Sequence, residues 1–153
     1  MCGSFVEIKG SMFLGRGYSF PIALEGALKL KELAYVHAEG YPAGEMKHGP
    51  LALIEEGMPV VVLAPRDEYY KKTISNMQEV IARGAKVLLI TNKSKDEVYS
   101  ENIWEKIEVE NTSEDLLPFL ITIPLQKLAY YSALKKGYDI DKPRNLAKSV
   151  TVE

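Results

Sequence analysis

The chain has 153 residues, 46% of them apolar and 26% charged, which is the balance of one soluble globular domain with its own core. Its formal net charge of −2 at pH 7 gives no electrostatic basis for binding nucleic acid or an anionic membrane. We expect a cytoplasmic protein, because no apolar run approaches the roughly 20 residues of a membrane span, no signal peptide is predicted, and Cys2 has no second cysteine to pair with.

The apolar pattern predicts strands that alternate with helices. In chain order these are a strand at residues 13–14, a helix at 21–38, a connector with a helical turn at 40–54, a strand at 59–64, a helix at 67–83, strands at 86–91 and 103–109, and a helix at 114–136. Ser19 fits the N-cap of the first helix. Gly137 ends the last helix, and Pro118 and Pro124 are expected to divide it.

This order of elements indicates βαβ units, and therefore an α/β fold with a parallel sheet and helices on both faces. Ligand sites in such folds gather at the carboxyl ends of the strands. Gly15-Arg16-Gly17 would lie there, at the start of a helix, and would offer backbone N–H groups and one cation to an anion. The segment lacks the third glycine of a dinucleotide-binding motif, so we reject nicotinamide binding.

The first helix carries a narrow seam of charge on an otherwise apolar surface. At 100° per residue, Glu25, Lys29 and Glu32 fall within about 60° of one another, and we call these three residues the charged seam. The structural interpretation is a set of ion pairs at i,i+3 and i,i+4 spacing, worth about 0.2–0.5 kcal/mol each. The functional hypothesis is a carboxylate and an amine held in a cleft, with pKa values moved towards neutrality.

Two histidines and a tail lysine are further candidates. His48 lies in the predicted connector, where a histidine can act as an acid or base near neutral pH. His37 is expected near the end of the first helix, with a structural role. Lys148 lies in a tail at residues 143–153 that shows neither the helical nor the strand period. No metal-ligand cluster accompanies these residues, so no metal site is predicted.

Four motifs together resemble one known family. They are FLGRG at 13–17, ALEGALKLKE at 23–32, HAEGYPAGEMKHGPLALI at 37–54 and PRNLAKSVTVE at 143–153. Their content and order are similar to the C-terminal end of the glucosamine-6-phosphate synthases, also called glutamine–fructose-6-phosphate aminotransferases (isomerising). The resemblance spans residues 12–153 and leaves residues 1–11 outside it.

The resemblance implies one sugar isomerase (SIS) subdomain over 12–153, with a flavodoxin-like three-layer α/β/α sandwich around a mainly parallel sheet. It further implies the second of two SIS subdomains, in an enzyme that also has a glutaminase domain. Such enzymes convert fructose-6-phosphate and glutamine to glucosamine-6-phosphate and glutamate, as homodimers and without a metal or organic cofactor. The implied partners are therefore the sugar phosphates, the first SIS subdomain, the glutaminase domain and a second subunit.

Matching motifs also imply residue roles. Glu32 resembles the base that moves a proton between C1 and C2 of the sugar, and Lys29 resembles a supporting lysine beside it. His48 resembles the group that assists ring opening, supplied across a dimer interface. Lys148 resembles the lysine that forms a Schiff base with the open-chain ketose, and Ala147 is expected to contact the sugar together with Lys148 and Glu32.

Two features depart from the resemblance. The family's Ser/Thr-rich phosphate loop belongs to the first SIS subdomain, whereas here the strand at 59–64 leads into Pro65-Arg66-Asp67-Glu68, whose acidic pair would repel phosphate. Met1-Cys2-Gly3 is similar to the start of the glutaminase domain, but the following residues differ, so we do not expect Cys2 to be a nucleophile. We therefore expect the chain to be nearly inactive alone.

Two other functions stay open. The chain would then be a noncatalytic module that binds sugar phosphates, or a dimerisation module in which the charged seam forms ion pairs at an interface. Under all three hypotheses we expect an oligomer, because the first and last predicted helices are too apolar for one small sheet to cover.

Overall fold

The computed structural model describes residues 10–94 and 102–146. Its elements, in chain order, are β1 Gly10–Gly15, α1 Ser19–Ala34, β2 His37–Pro42, β3 Pro59–Leu63, α2 Tyr70–Ile81, β4 Lys86–Asn92, β5 Glu105–Val109 and α3 Leu117–Lys135. Two 3₁₀ segments, Ala43–His48 and Pro50–Leu53, join β2 to β3. The strands form one sheet in the order β2-β1-β3-β4-β5, and each neighbouring pair is parallel. The predicted α/β class is confirmed.

The sheet separates two apolar cores, which makes the fold a three-layer sandwich. On one face, Leu30 of α1 and Leu125 of α3 pack with Phe13 of β1. On the other face, Met77 of α2 and Met46 of the first 3₁₀ segment pack with the strand residues on either side of Phe13. This alternation is the two-residue period of a strand covered on both faces. All five residues of β3 are buried, as its uninterrupted apolar run predicted.

The predicted extent of the first helix is wrong, because α1 ends at Ala34 rather than near residue 38. Tyr35 takes a left-handed conformation with φ 53°, and the chain then enters β2, which pairs in parallel with β1 along its whole length. The signal was an alternation of buried Val36 and Ala38 with exposed His37, the period of a strand. His37 therefore begins a strand, where its Nε2 lies 3.4 Å from a carboxylate oxygen of Glu39.

The last helix is not divided by its prolines, contrary to the sequence prediction. Pro118 occupies the first turn of α3, where the missing N–H has no partner within the helix to lose. Pro124 lies inside the helix, which nevertheless runs unbroken from Leu117 to Lys135. Gly137, with φ 72°, follows the helix end as predicted.

The turn between β1 and α1 sets how closely the helix starts against the sheet. A Cβ atom built on Gly15 would lie 2.3 Å from the carbonyl oxygen of Ser19 and 2.8 Å from the backbone nitrogen of Phe20. These are backbone atoms of the first turn of α1, so they can move away only if the helix moves. Gly15 therefore permits the approach that carries the chain from strand to helix.

We expect Gly15→Ala to lower the free energy of unfolding by about 2–3 kcal/mol, because the added methyl group overlaps with helix backbone. Urea denaturation of the chain measures this. The matched control is Gly10→Ala at the other end of β1, where the nearest atom to a new Cβ is 3.4 Å away. That substitution should leave stability unchanged or raise it by up to about 1 kcal/mol. Equal losses in both variants would contradict the close approach at Gly15.

Candidate functional site

The charged seam forms the ion pairs that the structural interpretation predicts. Lys29 Nζ lies 2.7 Å from Glu32 Oε2 and 3.6 Å from Glu25 Oε1. The side chains are 38%, 30% and 28% exposed for Glu25, Lys29 and Glu32, so the seam is half-buried rather than enclosed. The opposite side of α1 packs its alanines and Leu30 into the core.

The pKa of Lys29 lies above its ordinary value. The hydrogen bond to Glu32 is the largest cause, burial acts in the opposite direction, and the charges of Glu25 and Glu32 raise the pKa further. The expectation of a lysine moved towards neutrality is therefore wrong for Lys29. The ammonium group stays charged at neutral pH and provides a fixed cation beside Glu32.

The C-terminal segment reaches the end of α1 that carries Glu32. The backbone N–H of Arg144 donates to Tyr35 Oη at 2.8 Å, and the guanidinium carbon of Arg144 lies 4.1 Å from the centre of the Tyr35 ring. Tyr138 packs edge-on against the same ring at 4.8 Å. Tyr35 follows Glu32 by one turn. The described part of the tail is thus tied to Tyr35, three residues after Glu32, while Ala147 and Lys148 lie outside the described residues.

His48 lies in a different layer from the charged seam. It ends the 3₁₀ segment Ala43–His48, which packs on the face of the sheet opposite α1. Its side chain is 73% exposed, and its Nδ1 lies 2.7 Å from Glu45 Oε2. Within one chain the sheet therefore stands between His48 and Glu32, and the structure does not bring these two predicted site residues together.

The glycine turn after β1 is also remote from Glu32. Arg16 donates through Nε and Nη2 to Asn76 Oδ1 at 3.2 and 3.0 Å, which joins the end of β1 to α2. The turn precedes α1, whereas Glu32 lies near the helix end. At 1.5 Å per residue the two are about 20 Å apart along the axis. Arg16 is therefore a structural residue, too distant to hold the phosphate of a sugar bound at Glu32.

A cavity of about 370 Å³ lies at the carboxyl edge of the sheet, where ligand sites of such folds gather. Asp67, Glu68 and Glu114 line it together with the start of α1. Burial raises the pKa of Asp67, and the neighbouring charges of Glu114 and Glu68 add to the rise. The predicted acidic pair after β3 thus lines this cavity, with a third carboxylate that makes it still less suited to phosphate.

Within residues 10–94 and 102–146 the structure contains no group of three or more His, Cys, Asp or Glu residues arranged to hold a metal ion. None of the helices in the same ranges is both long and apolar enough to cross a membrane.

The Tyr35–Arg144 contact was not predicted from the sequence. The two residues are 109 positions apart, so no local period relates them. The available signal was indirect: Tyr35 stands where the helical period gives way to the strand alternation that begins at Val36.

Comparison with known protein families matches residues 5–136 to the SIS domain model. The chain belongs to the SIS domain family. Its 153 residues are 54% identical to a glutamine–fructose-6-phosphate aminotransferase (isomerising) from Bartonella henselae, covering all of this chain and 25% of that protein. The chain thus spans about a quarter of the length of the curated relatives it matches.

Solved structures agree with this assignment. The C-terminal domain of glucosamine-fructose-6-phosphate aminotransferase from Francisella tularensis matches with a TM-score of 0.88 and 48% identity, over 92% of this chain and 40% of that one. A glucosamine-6-phosphate deaminase from Thermotoga maritima matches with a TM-score of 0.70 and 28% identity, over 97% of this chain and 44% of that one. The SIS chain is therefore homologous to the C-terminal SIS subdomain of the aminotransferase. The resemblance read from the motifs is confirmed, while the division between residues 11 and 12 stays a prediction.

We expect Glu32→Gln to lower the pKa of Lys29 more than Glu25→Gln does, because Glu32 provides the main hydrogen bond. NMR titration of the lysine side chains measures both variants. Because the folded pKa is raised, the seam should stabilise the fold fully below the unfolded pKa of lysine, and this contribution should be lost as pH rises through the folded value. A Lys29 that titrates near neutral pH in the unmodified chain would contradict the ion-pair geometry.

Proposed function

We propose that this SIS subdomain supplies the isomerisation chemistry of a glutamine–fructose-6-phosphate aminotransferase. The observation that carries the proposal is the attachment of the C-terminal segment at Tyr35, one turn from Glu32. This contact brings the segment that continues to Lys148 to the helix end that bears the candidate base. The names of the relatives include fructose-6-phosphate, which is a ketose phosphate, and this supports the same substrate class.

The chemistry assigns one role to each residue. A cyclic ketose must open, and a histidine such as His48 can exchange the protons of the ring oxygen and hydroxyl. The neutral amine of Lys148 can condense with the C2 carbonyl, which gives an iminium that acidifies the C1–H bond. The Glu32 carboxylate can then carry that proton between C1 and C2, with Ala147 beside the sugar.

Lys29 is the candidate for the neighbouring charge that helps Lys148 lose its proton before the imine forms. Lys148 must lose its proton before it can attack a carbonyl, and a neighbouring cation lowers the pKa of a lysine. Lys29 provides such a cation, because its ion pairs with Glu25 and Glu32 keep it charged at neutral pH. The three charges sum to −1, so Lys29 has this effect only on an amine that comes closer to it than to the two carboxylates. The ion pairs of the seam and a catalytic role for Glu32 are therefore compatible.

A complete site requires more than one chain or domain. His48 lies on the face of the sheet opposite Glu32, which favours a histidine from the second subunit of a homodimer. The acidic cavity at the carboxyl edge of the sheet does not suit a phosphate, so the first SIS subdomain would hold that group, and the glutaminase domain would supply ammonia. The chain alone should be nearly inactive. A cytoplasmic location stays a prediction from the sequence.

The outer surface of α3 supports an assembly of this kind. Four exposed residues of α3 and Leu116, which directly precedes it, form an apolar stripe at helical spacing, opposite the side that packs on the sheet, and each is between 41% and 69% exposed. These residues, the outer stripe, are Leu116, Phe119, Ile123, Tyr130 and Leu134. An apolar surface of this extent is typical of an interface, and we propose that another SIS unit covers it.

One observation favours the alternative of a noncatalytic module. The seam residues already satisfy one another as ion pairs, as a purely structural seam requires. A noncatalytic binding module predicts ligand binding that survives the loss of the Glu32 carboxylate. A dimerisation module predicts instead that removal of the seam charges changes subunit association, with no ligand effect. The catalytic proposal requires the opposite, a loss of turnover.

We expect Lys148→Ala to abolish isomerisation in a chimaera in which this chain replaces the matching quarter of the Bartonella henselae enzyme. The amine that forms the imine would be absent, and Lys148→Arg is the matched control that keeps the charge without a condensing amine. Glu32→Gln should lower kcat by about 10²–10⁴-fold. Conversion of fructose-6-phosphate to glucose-6-phosphate measures all three variants.

Near-normal turnover of the Lys148→Ala chimaera would remove the assigned role of this lysine. The isolated chain, assayed in parallel, should show almost no turnover. Robust turnover by that chain would contradict the claim that another domain must hold the phosphate.

We expect Phe119→Glu to weaken self-association of the chain, because it places a charge at the most exposed residue of the outer stripe. Sedimentation velocity over a range of concentrations measures this. Gln78→Glu, an equivalent charge on the exposed side of α2, is the matched control and should leave association unchanged. The proposed interface would be wrong if both variants associated as the unmodified chain does.

A further inference from the structure

Tyr35 holds a backbone conformation that its side chain disfavours. Its φ of 53° and ψ of 36° lie in the left-handed region, which a bulky residue rarely enters. Glycine is the residue that usually ends a helix in this way, because it has no Cβ to clash. A strained residue persists only where its surroundings hold it in place, and such residues cluster at functional sites.

The surroundings of Tyr35 belong to the C-terminal segment. The hydroxyl group accepts the backbone N–H of Arg144 at 2.8 Å, while the Arg144 guanidinium lies over the ring at 4.1 Å. Tyr138 contacts the ring edge, and both Tyr138 and Ile140 pack against the core beneath α1 and α3. One side chain therefore makes three different contacts with a segment 100 residues or more away in sequence.

The chain between α3 and Arg144 has a defined course. Asp139 Oδ1 accepts the backbone N–H groups of Asp141 and Lys142 at 2.9 and 3.1 Å, which closes a turn after the helix. Asn145, with φ 63°, bends the chain again directly after Arg144. Lys136 Nζ donates to the carbonyl oxygen of Ala34 at 3.1 Å and so joins the ends of α1 and α3.

We propose that Tyr35 is a positioning residue for the imine-forming lysine. It fixes the chain at Arg144, four residues before Lys148 in the sequence, at a point one turn from Glu32. Tyr35 acts through the tail and does not touch the sugar. This inference rests on the proposed function.

The test uses the chimaera and removes only the hydroxyl group. Tyr35→Phe should lower kcat by about 3- to 10-fold with KM unchanged, the effect of one lost hydrogen bond on positioning. Trapping of the imine at Lys148 by borohydride, with fructose-6-phosphate present, should slow by the same factor, as quantified by mass spectrometry. Tyr41→Phe is the matched control, because it also removes a hydrogen-bonded tyrosine hydroxyl, here one that donates to Glu39. It should leave kcat and trapping unchanged.

A second variant separates positioning from folding. Tyr35→Gly relieves the left-handed strain and so should keep the chain folded, yet it removes all three contacts. Its trapping rate should fall below that of Tyr35→Phe. A Tyr35→Gly chimaera that keeps normal kcat and normal trapping would overturn the proposal.

Hydrogen exchange on the isolated chain provides a test that needs no activity. The Arg144 amide should be protected in the unmodified chain and lose protection in Tyr35→Phe. Unchanged protection in that variant would show that the Tyr35 hydroxyl does not hold Arg144.

The outcomes separate the two proposals. If Tyr35 holds Arg144 but the unmodified chimaera neither turns over nor traps an imine, the proposed function is wrong. If the unmodified chimaera is active and Tyr35→Phe matches it, only the positioning role is wrong.

Discussion

The left-handed turn at Tyr35 is the constraint on which the candidate site depends. It ends α1 one turn after Glu32 and directs the chain into β2, which pairs with β1 at the edge of the sheet. The same side chain then receives the C-terminal segment through Arg144. One strained residue thus ends the helix, precedes the edge strand and holds the C-terminal segment at Arg144.

Most of the fold follows from patterns that the sequence displays openly. The uninterrupted apolar runs of β3 and β4 are typical of strands covered on both faces. The helical period of α2 stops before Gly84, which has a positive φ. The sequence analysis did not predict β2, because no glycine or proline marks the end of α1. The unbroken α3 shows that a proline within a long apolar helix does not by itself divide it when tertiary packing holds both halves.

The candidate site was predicted only in part, because it depends on contacts between distant residues. Local spacing in the sequence was enough to predict the ion pairs of the charged seam. It could not reveal that Lys29 is held as a cation, that Arg16 is bound to Asn76, or that the sheet stands between Glu32 and His48. The roles of Lys148 and Ala147 came from family resemblance alone, and they remain proposals about residues outside the described part of the chain.

The central claim is that one site combines the tail and α1 of one subunit with the histidine of another. The most direct test mixes two inactive chimaeras, one carrying His48→Ala and the other Lys148→Ala, and allows their subunits to exchange. If His48 acts across the dimer, half of the dimers are mixed and each has one intact site, so about a quarter of the normal activity should return. If activity stays at the level of the separate variants although mixed dimers form, His48 does not act across subunits and the account is contradicted.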